Sequence, residues 1–333
     1  MLNTAVTLCV VIVIFALVFD FINGFHDSAN AIATSVSTRV LTMSEAVIMS
    51  ASFNFLGAFI STKVAKTIGS GLVSPTHISQ TVIISALIGA ILWDLLTWYF
   101  GIPSSSSHAL VGGLIGAAIV YRSTFTVVCW SNFWEKIVMP LFASPLEGFF
   151  IGYFFMTLIN WIFRMARPRT VSKIFSKAQI FSAAFMALNH GGNDAQKSMG
   201  IITMALMSGG FIQKFDVPIW VKIACALSMA LGTSIGGSRI IKTVGTKMAK
   251  LAPVNGFAAE TGAACVIMAS TLIDAPVSTT QIISTSIMGV AASKRFSSVR
   301  WIIAKNILWA WIFTIPTCAI VSAVIQKVIM LIF

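Results

Sequence analysis

Long apolar runs, separated by short polar stretches, set the pattern of this chain. The runs with at most one charged residue cover 3–23, 46–62, 79–93, 254–273 and 306–326. Each approaches the roughly 20 residues that a helix needs to cross the hydrocarbon core of a bilayer. Ten-residue segments of alternating apolar and polar residues, which are typical of membrane β-barrels, are not seen. The pattern therefore predicts an all-α integral membrane protein.

Polar breaks divide the chain into two series of five membrane elements. The first series has an interrupted helix over 3–36, helices over 43–62 and 79–100, a short Ser-rich element over 101–121 and a long helix over 137–163. The second has an interrupted element over 180–208, helices over 217–237 and 254–273, a short polar-headed element over 274–292 and a long helix over 301–331. We therefore predict an N-terminal membrane repeat (1–163), a basic cytoplasmic linker (164–179) and a C-terminal membrane repeat (180–333).

Motifs recur between the two series in the same order. The stretch 24–31 is matched by 191–198 in the second series, and PSSSSH at 103–108 is matched by PVSTTQ at 276–281. If each half crosses the membrane an odd number of times, the second half is inserted upside down relative to the first. The sequence thus predicts two inverted-topology repeats, with the short elements after 103 and 276 as half-helices. It leaves open whether 101–121 and 274–292 span or re-enter.

Composition and charge support the membrane assignment. Hydrophobic residues make up 57% of the chain and charged residues 10%, and the mean hydropathy is +0.92. The net charge of +12 would suggest nucleic acid in a soluble protein. Here the positive residues gather on the side of the linker, as the positive-inside rule requires, which argues against nucleic-acid binding. We expect a multi-pass protein of the inner (cytoplasmic) membrane, with a retained first helix because no Lys or Arg precedes it.

The stretches 24–31 and 191–198 place acids inside apolar runs, where an ionisable residue is a functional-site hypothesis by default. Because Gly24, Gly191 and Gly192 weaken a helix, we expect the helices to unwind there. Freed carbonyls and side-chain oxygens would then coordinate a small cation. The candidate cation ligands are Asp27, Asn30, Asn193, Asp194 and Gln281, with Asp27 and Asp194 as the metal ligands if the ion is Na⁺. The alternative is that these residues only hydrogen-bond neighbouring helices.

The two Pro-led motifs predict an anion site. Proline fixes the first turn of a helix, and the Ser and Thr residues that follow offer hydroxyls beside free backbone N–H groups at the positive end of the helix dipole. The candidate substrate ligands are Ser104, Ser105, Ser106, Ser107, Ser278, Thr279, Thr280, Asn30 and Lys197. The alternative is that the hydroxyls are ordinary N-caps of buried helices.

Charge balance constrains the mechanism. A phosphate dianion held near Asp27 and Asp194 would set four negative charges against one obvious cation, Lys197, so bound cations must offset the rest. Lys197 could instead pair with Asp194 three residues earlier, and His26 could titrate near neutral pH. Weaker candidates in or near apolar runs are Asp20, Asp94, Glu147, Glu260 and Asp274.

These motifs resemble those of the PiT family of inorganic phosphate transporters. The resemblance rests on HGGNDAQKSMG at 190–200, GGSRIIKTVG at 236–245 and the Pro-Ser/Thr segments, and it covers nearly the whole chain. It implies phosphate uptake coupled to Na⁺ or H⁺, with no cofactor, and implies that the Asp and Pro-Ser/Thr motifs form the phosphate and ion sites. Many members have Asn where this chain has His26, and the short linker 164–179 fits a compact prokaryotic carrier.

Together these patterns predict a secondary transporter that imports inorganic phosphate with a monovalent cation, by alternating access around a midplane site. A symporter for another tetrahedral oxyanion, such as sulfate, is the first alternative. An intramembrane hydrolase that uses a Ser104–Ser107 hydroxyl with His108 and Asp27 is the second. It is disfavoured because Gln281 stands at the matched position of His108. The partners expected are phosphate, the cation and the lipid bilayer, and a homodimer stays open.

Overall fold

The computed structural model describes residues 2–73, 78–235 and 237–332, so that Gly236 of the 236–245 motif lies outside the described residues. The first part of the chain forms α1 (Leu2–His26), α2 (Ser28–Ser37), α3 (Met43–Gly57), α4 (Lys63–Lys66), α5 (Gln80–Phe100), α6 (Ser106–Arg122), α7 (Trp130–Phe133) and α8 (Met139–Ile162). The rest forms α9 (Pro168–Ser208), α10 (Ile219–Ile235), α11 (Ser238–Lys242), α12 (Pro253–Leu272), α13 (Thr279–Lys294) and α14 (Trp301–Ile332). Turns of π-helix extend α4 (Thr67–Gly71) and α11 (Thr243–Lys247) and link α7 to α8 (Trp134–Val138), and short 3₁₀ turns lie at Phe125–Val127 and Phe296–Ser298.

The helices confirm the all-α membrane fold. Within the described ranges, four helical segments are long and apolar enough to cross a bilayer, and the pair Ile219–Ile235 and Ser238–Lys247, bent by 62°, makes a fifth if it is counted as one span. The four segments are Ala5–Ser37, Gln80–Phe100, Trp130–Ile162 and Trp301–Ile332. Their outer faces expose large apolar side chains, such as Phe150 on α8 and Phe313 on α14. Such faces are stable when lipid covers them, because lipid tails are as apolar as the side chains.

The two halves of the chain interleave. The short helix α6 packs against α14, and its counterpart α13 packs against α8, so the long last helix of each half lies on a short helix. Both pairs join the two halves, and further contacts between the halves come from α1, which packs on α10, and from α3, which packs on α9. The buried apolar residues accordingly form two clusters, and each cluster contains side chains from both halves.

The predicted unwinding at the glycines is wrong. Helix α9 runs through Gly191 and Gly192 without a break, and only Asp27 separates α1 from α2, with a backbone still in the helical region (φ −88°, ψ −34°). The glycines instead allow helices to touch. A Cβ at Gly191 would lie 2.2 Å from the carbonyl oxygen of Asn54, and one at Gly24 would lie 2.3 Å from that of Met229. Small residues let helix backbones approach in this way, so unwound carbonyls are not available as ligands.

Three other boundaries differ from the prediction. Most of the segment 164–179 is helical, because α9 begins at Pro168 and buries Phe175 between the rings of Phe163 and Phe257, each with its centroid 5.2 Å away. The helices predicted over 43–62 and 217–237 end at Gly57 and Ile235, and each is followed by a short helical element that the pattern of apolar runs missed.

Candidate functional site

Asp27 lies where the junction of α1 and α2 meets the N-terminal ends of α6 and α13. Its side chain is 2% exposed. The Ser106 hydroxyl donates to Oδ2 over 2.5 Å, the Thr280 hydroxyl donates to Oδ1 over 3.1 Å, and Nδ1 of His26 lies 2.6 Å from the same Oδ1. One buried carboxylate therefore contacts hydroxyls from both Pro-led motifs.

Asp194 occupies the corresponding place on α9. The Lys197 ammonium lies 2.7 Å from Oδ1, and the Thr279 hydroxyl donates to Oδ2 over 3.3 Å. Nε2 of His190 is 3.6 Å from Oδ2. All four side chains are buried. Of the two roles considered for Lys197, pairing with Asp194 is the one that the structure contains.

Apart from Ser104, the hydroxyls of the Pro-led motifs divide into two groups. Ser105 and Ser278 are N-caps, because their hydroxyls accept from the backbone N–H groups of His108 and Gln281, each over 3.3 Å. Ser107 donates to the carbonyl of Val277 over 3.2 Å and so joins the two motifs. These three hydroxyls hold the helix ends in place, whereas Ser106, Thr279 and Thr280 face the carboxylates.

Ser104 and the amide candidates lie in the same buried region. Ser104 is 2.8 Å from the Thr97 hydroxyl, and the Asn30 amide donates to Thr280 over 2.8 Å. The Asn193 amide donates to Thr271 on α12 over 3.0 Å. Asn193 therefore makes contact with a helix that carries neither Pro-led motif.

Several buried polar atoms of the candidate set lack a hydrogen-bond partner among the described residues. They are Oδ1 of Asn30, Oδ1 of Asn193, both amide atoms of the Gln281 side chain and Nδ1 of His108. A buried polar atom without a partner costs about 1–3 kcal/mol, and native structures contain few of them. These atoms, on the acid motifs and the Pro-led motifs, are therefore free to contact an ion.

The chain as a whole matches one family. The model of the phosphate transporter family matches residues 23–322. The chain belongs to this family. It is 47% identical over 98% of its length to a protein of Bacillus subtilis, and 46% identical over 96% to one of Rhizobium meliloti. Those matches cover 98% and 96% of the two relatives, both named probable low-affinity inorganic phosphate transporters.

The fold of the transporter also matches a solved structure described as "The sodium-dependent phosphate transporter". The TM-score is 0.88 at 23% identity, over 98% of this chain and 100% of the other. The family confirms that the chain is a transporter and not an enzyme. The hydrolase alternative also lacks its geometry, since the Ser106 hydroxyl donates to Asp27 and Nδ1 of His108 has no partner among the described side chains.

Sequence reasoning missed a polar link in the transporter between the two acid motifs. Asn54 on α3 is fully buried. Its amide donates to Ser28 over 2.9 Å and to Thr233 over 3.2 Å, and its Oδ1 lies 3.1 Å from Nδ1 of His190. The signal was present, because Asn54 is a polar residue inside an apolar run, as Asp27 is.

Thr97 was missed as well. Its hydroxyl lies 3.1 Å from Nε2 of His26 and 2.8 Å from Ser104, so it connects the first acid motif to the first Pro-led motif. A threonine near the end of an apolar helix gives no such indication in the sequence.

The weaker acid candidates fall in different places. Asp20 is fully buried beside Ser198 and Cys225, and Asp94 is buried on α5 close to His26. Both border the site. Glu147 is exposed on α8, and Asp274 is 45% exposed at the turn after α12.

Glu260 forms a separate buried network. Its carboxylate accepts hydrogen bonds from the Ser35 hydroxyl over 2.6 Å and from the Gln179 amide over 3.2 Å, and also from the hydroxyls of Thr34 and Ser182. These donors come from α2 and α9, so the network ties those two helices to α12. Four donors satisfy this carboxylate without any ligand.

Proposed function

We propose that this transporter imports inorganic phosphate across the cytoplasmic membrane by symport with Na⁺ or H⁺. The observation that carries the proposal is the pair of buried carboxylates, Asp27 and Asp194, each touched by hydroxyls at a helix N-terminus. The names of the two bacterial relatives support phosphate as the substrate, and the name of the structural neighbour supports sodium as a coupling ion.

Phosphate would bind between the N-terminal ends of α6 and α13. These helices have 17 and 16 residues, and both present backbone N–H groups and the positive end of a helix dipole. Ser106, Thr279 and Thr280 can turn their hydroxyls from the carboxylates to an anion, because a hydroxyl hydrogen rotates about its C–O bond. The Lys197 ammonium, buried beside Asp194, supplies a positive charge at this site.

The carboxylates would hold the coupling ions. Two unit charges 4 Å apart repel by about 4 kcal/mol at an effective dielectric constant near 20, so a phosphate dianion beside Asp27 and Asp194 requires compensation. Oxygens of Asn30, Asn193 and Gln281 complete a set of hard ligands that suits Na⁺. His26, 2.6 Å from Asp27, keeps H⁺ as the alternative.

Inverted repeats with alternating access are the architecture that we propose. Equivalent contacts in the two halves support it: Gly24 approaches Met229 as Gly191 approaches Asn54, and Ser105 caps α6 as Ser278 caps α13. In this arrangement the segment 164–179 faces the cytoplasm, and one set of helices rocks against the other around the buried site.

Uptake of labelled phosphate into proteoliposomes under an imposed Na⁺ or H⁺ gradient tests the proposal. We expect phosphate uptake to depend on one of the two gradients. Excess sulfate should compete poorly with labelled phosphate. Asp27→Asn should abolish coupled uptake, whereas Glu147→Gln, at an exposed position of α8, should leave it unchanged. Phosphate uptake that depends on neither gradient would exclude symport. If sulfate competes more strongly than unlabelled phosphate does, sulfate rather than phosphate is the substrate.

A further inference from the structure

Two turns that lead into the Pro-led motifs have the same backbone geometry. After α5, the N–H of Ile102 donates to the carbonyl of Thr97 over 2.9 Å, and Gly101 is left-handed with φ +65°. After α12, the N–H of Ala275 donates to the carbonyl of Ser270 over 3.0 Å, and Asp274 is left-handed with φ +63°. Each turn fixes the direction in which the following anion-binding segment leaves its helix.

An arginine and a threonine from the second half of the chain donate hydrogen bonds to the first of these turns. The Arg239 guanidinium donates to the carbonyl of Tyr99, and the Thr243 hydroxyl donates to that of Gly101 over 2.9 Å. The guanidinium also lies over the ring of Tyr99, 5.0 Å from its centroid, and 5.5 Å from that of Trp98. We call these contacts the Arg239 clasp.

Lys63 and Thr67 make equivalent contacts with the second turn, and we call these contacts the Lys63 clasp. The Lys63 ammonium donates to the carbonyl of Leu272 over 3.5 Å and lies 3.6 Å from the Asp274 carboxylate. The Thr67 hydroxyl donates to the carbonyl of Asp274 over 2.9 Å. Lys63 and Thr67 in KVAKTIG at 63–69 have the same spacing as Arg239 and Thr243 in RIIKTVG at 239–245, so these two stretches match in sequence and in contacts.

The described residues at the centre of the candidate site are closed to solvent. Ser106, Thr280 and Asp194 are fully buried, and Asp27 is 2% exposed. A substrate enters or leaves only if helices part, and each clasp joins a short element of one half to the turn beside an anion-binding segment of the other. Under the inverted topology proposed above, the two clasps lie on opposite sides of the membrane.

We propose that Arg239 and Lys63 are positioning residues of two alternating gates: each clasp holds an anion-binding segment while its side is closed, and must open for phosphate to pass. This inference rests on the proposed phosphate transport. The clasps differ in strength. Arg239 is exposed as well, but it adds aromatic contacts to a charge-assisted hydrogen bond. The Lys63–Asp274 pair, with side chains 60% and 45% exposed, contributes little. The Lys63 clasp is the one that opens more readily.

Reversible bridging of each clasp tests the inference. One protein carries Lys63→Cys with Asp274→Cys, and a second carries Arg239→Cys with Tyr99→Cys, both with Cys129→Ser to remove the exposed native thiol. A short bifunctional methanethiosulfonate joins the two thiols, and a reductant releases them. We expect phosphate uptake to fall at least tenfold on bridging and to return on reduction. A protein with only one of the two introduced cysteines, treated identically, should show neither the loss nor the recovery of uptake.

Each result has one meaning. Bridged protein, verified by intact mass, that still takes up phosphate at its unbridged rate would show that the clasp does not open, and the gate assignment would be wrong. Thiols that cannot be bridged would show that the paired residues are not neighbours, which also overturns it. If the unsubstituted transporter takes up no phosphate under either gradient, the proposed function itself has failed, and the inference fails with it.

Discussion

The ion pair between Asp194 and Lys197 allows stability and transport to be separated. Both side chains are fully buried, and the ammonium lies 2.7 Å from the carboxylate. The substitution Lys197→Met keeps a long side chain but leaves Asp194 as a buried carboxylate without its cation. The reverse substitution, Asp194→Asn, leaves a buried ammonium without its anion.

The cost of each single substitution follows from this burial. Removing one partner of a buried pair destabilises a protein by about 3–5 kcal/mol, because the remaining charge is left uncompensated. Replacing both partners removes that charge as well, and such replacements are often neutral. We therefore expect the double variant Asp194→Asn with Lys197→Met to be more stable than either single variant. Its free energy of unfolding should lie closer to that of the unsubstituted protein than to that of either single variant.

The assay compares unfolding and transport in the same four proteins. SDS titration in mixed micelles gives the free energy of unfolding, and uptake into proteoliposomes gives the transport rate. We expect the double variant to unfold much as the unsubstituted protein does, yet to transport no phosphate, because a candidate cation ligand is lost. Lys305→Met, at an exposed position of α14, is the matched control and should change neither quantity.

Two results would refute this reasoning. If the effects of the two single substitutions add in the double variant, Asp194 and Lys197 do not interact, whatever their separation. If the double variant transports phosphate normally, the pair is a structural link between neighbouring turns of α9. Asp194 would then leave the proposed cation site.

The packing of the helices gives two further predictions. Gly191→Ala should destabilise the fold by about 1–3 kcal/mol in SDS titration, because its Cβ would meet the Asn54 carbonyl at 2.2 Å, whereas Gly71→Ala, with no atom nearer than 3.7 Å, should change it by less than about 0.5 kcal/mol. Glu260→Gln should lower the thermal unfolding temperature, because the amide NH₂ replaces one acceptor oxygen and faces at least one former donor, the Ser182 hydroxyl. The exposed Glu147→Gln is its control, and equal shifts would contradict the role of the network.

Much of the fold could be predicted from apolar runs and charge alone. The long helices, the position of the short helices after Pro103 and Pro276, and the membrane class all follow from these patterns. The acids were found because a carboxylate in an apolar run is conspicuous. The structure then brought Asp27 and Asp194 to hydroxyls of the Pro-led motifs, as a shared site for cation and anion requires.

The unwinding of the helices was predicted from the low helix propensity of glycine, a local property that tertiary contacts override. A glycine in a helix costs only about 1 kcal/mol relative to alanine. At Gly24 and Gly191 the missing side chain lets α1 meet α10 and α9 meet α3, and that packing offsets the cost. The partner helices carry small residues at the same crossings, Gly232 and Gly57, and this pairing is the signal that favours packing.

The polar links could not be predicted because their partners are distant in the chain. The hydroxyl of Ser35 reaches Glu260 across 225 residues, and Asn54 reaches Thr233 across 179. No periodicity in one segment encodes such a pair. The short elements α4 and α11 were missed for another reason, since runs of four or five residues carry no helical period.

The two halves are alike at the acid and Pro-led motifs and unlike at the Glu260 network and the clasps, which bears on the movement that we propose. The positions that match Gln179, Thr34, Ser35 and Glu260 in the other half are all buried and apolar: Ile12, Ile201, Ile202 and Leu87. The two clasps also differ from each other, since Arg239 makes aromatic contacts whereas Lys63 pairs with an exposed carboxylate. Two identical inverted halves would give inward-open and outward-open states of equal energy. The polar network and the aromatic contacts of the Arg239 clasp have no equivalent at the matched positions among the described residues. Under the proposed alternating access, the inward-open and outward-open states would therefore differ in energy, and ion binding would have to offset that difference during each cycle.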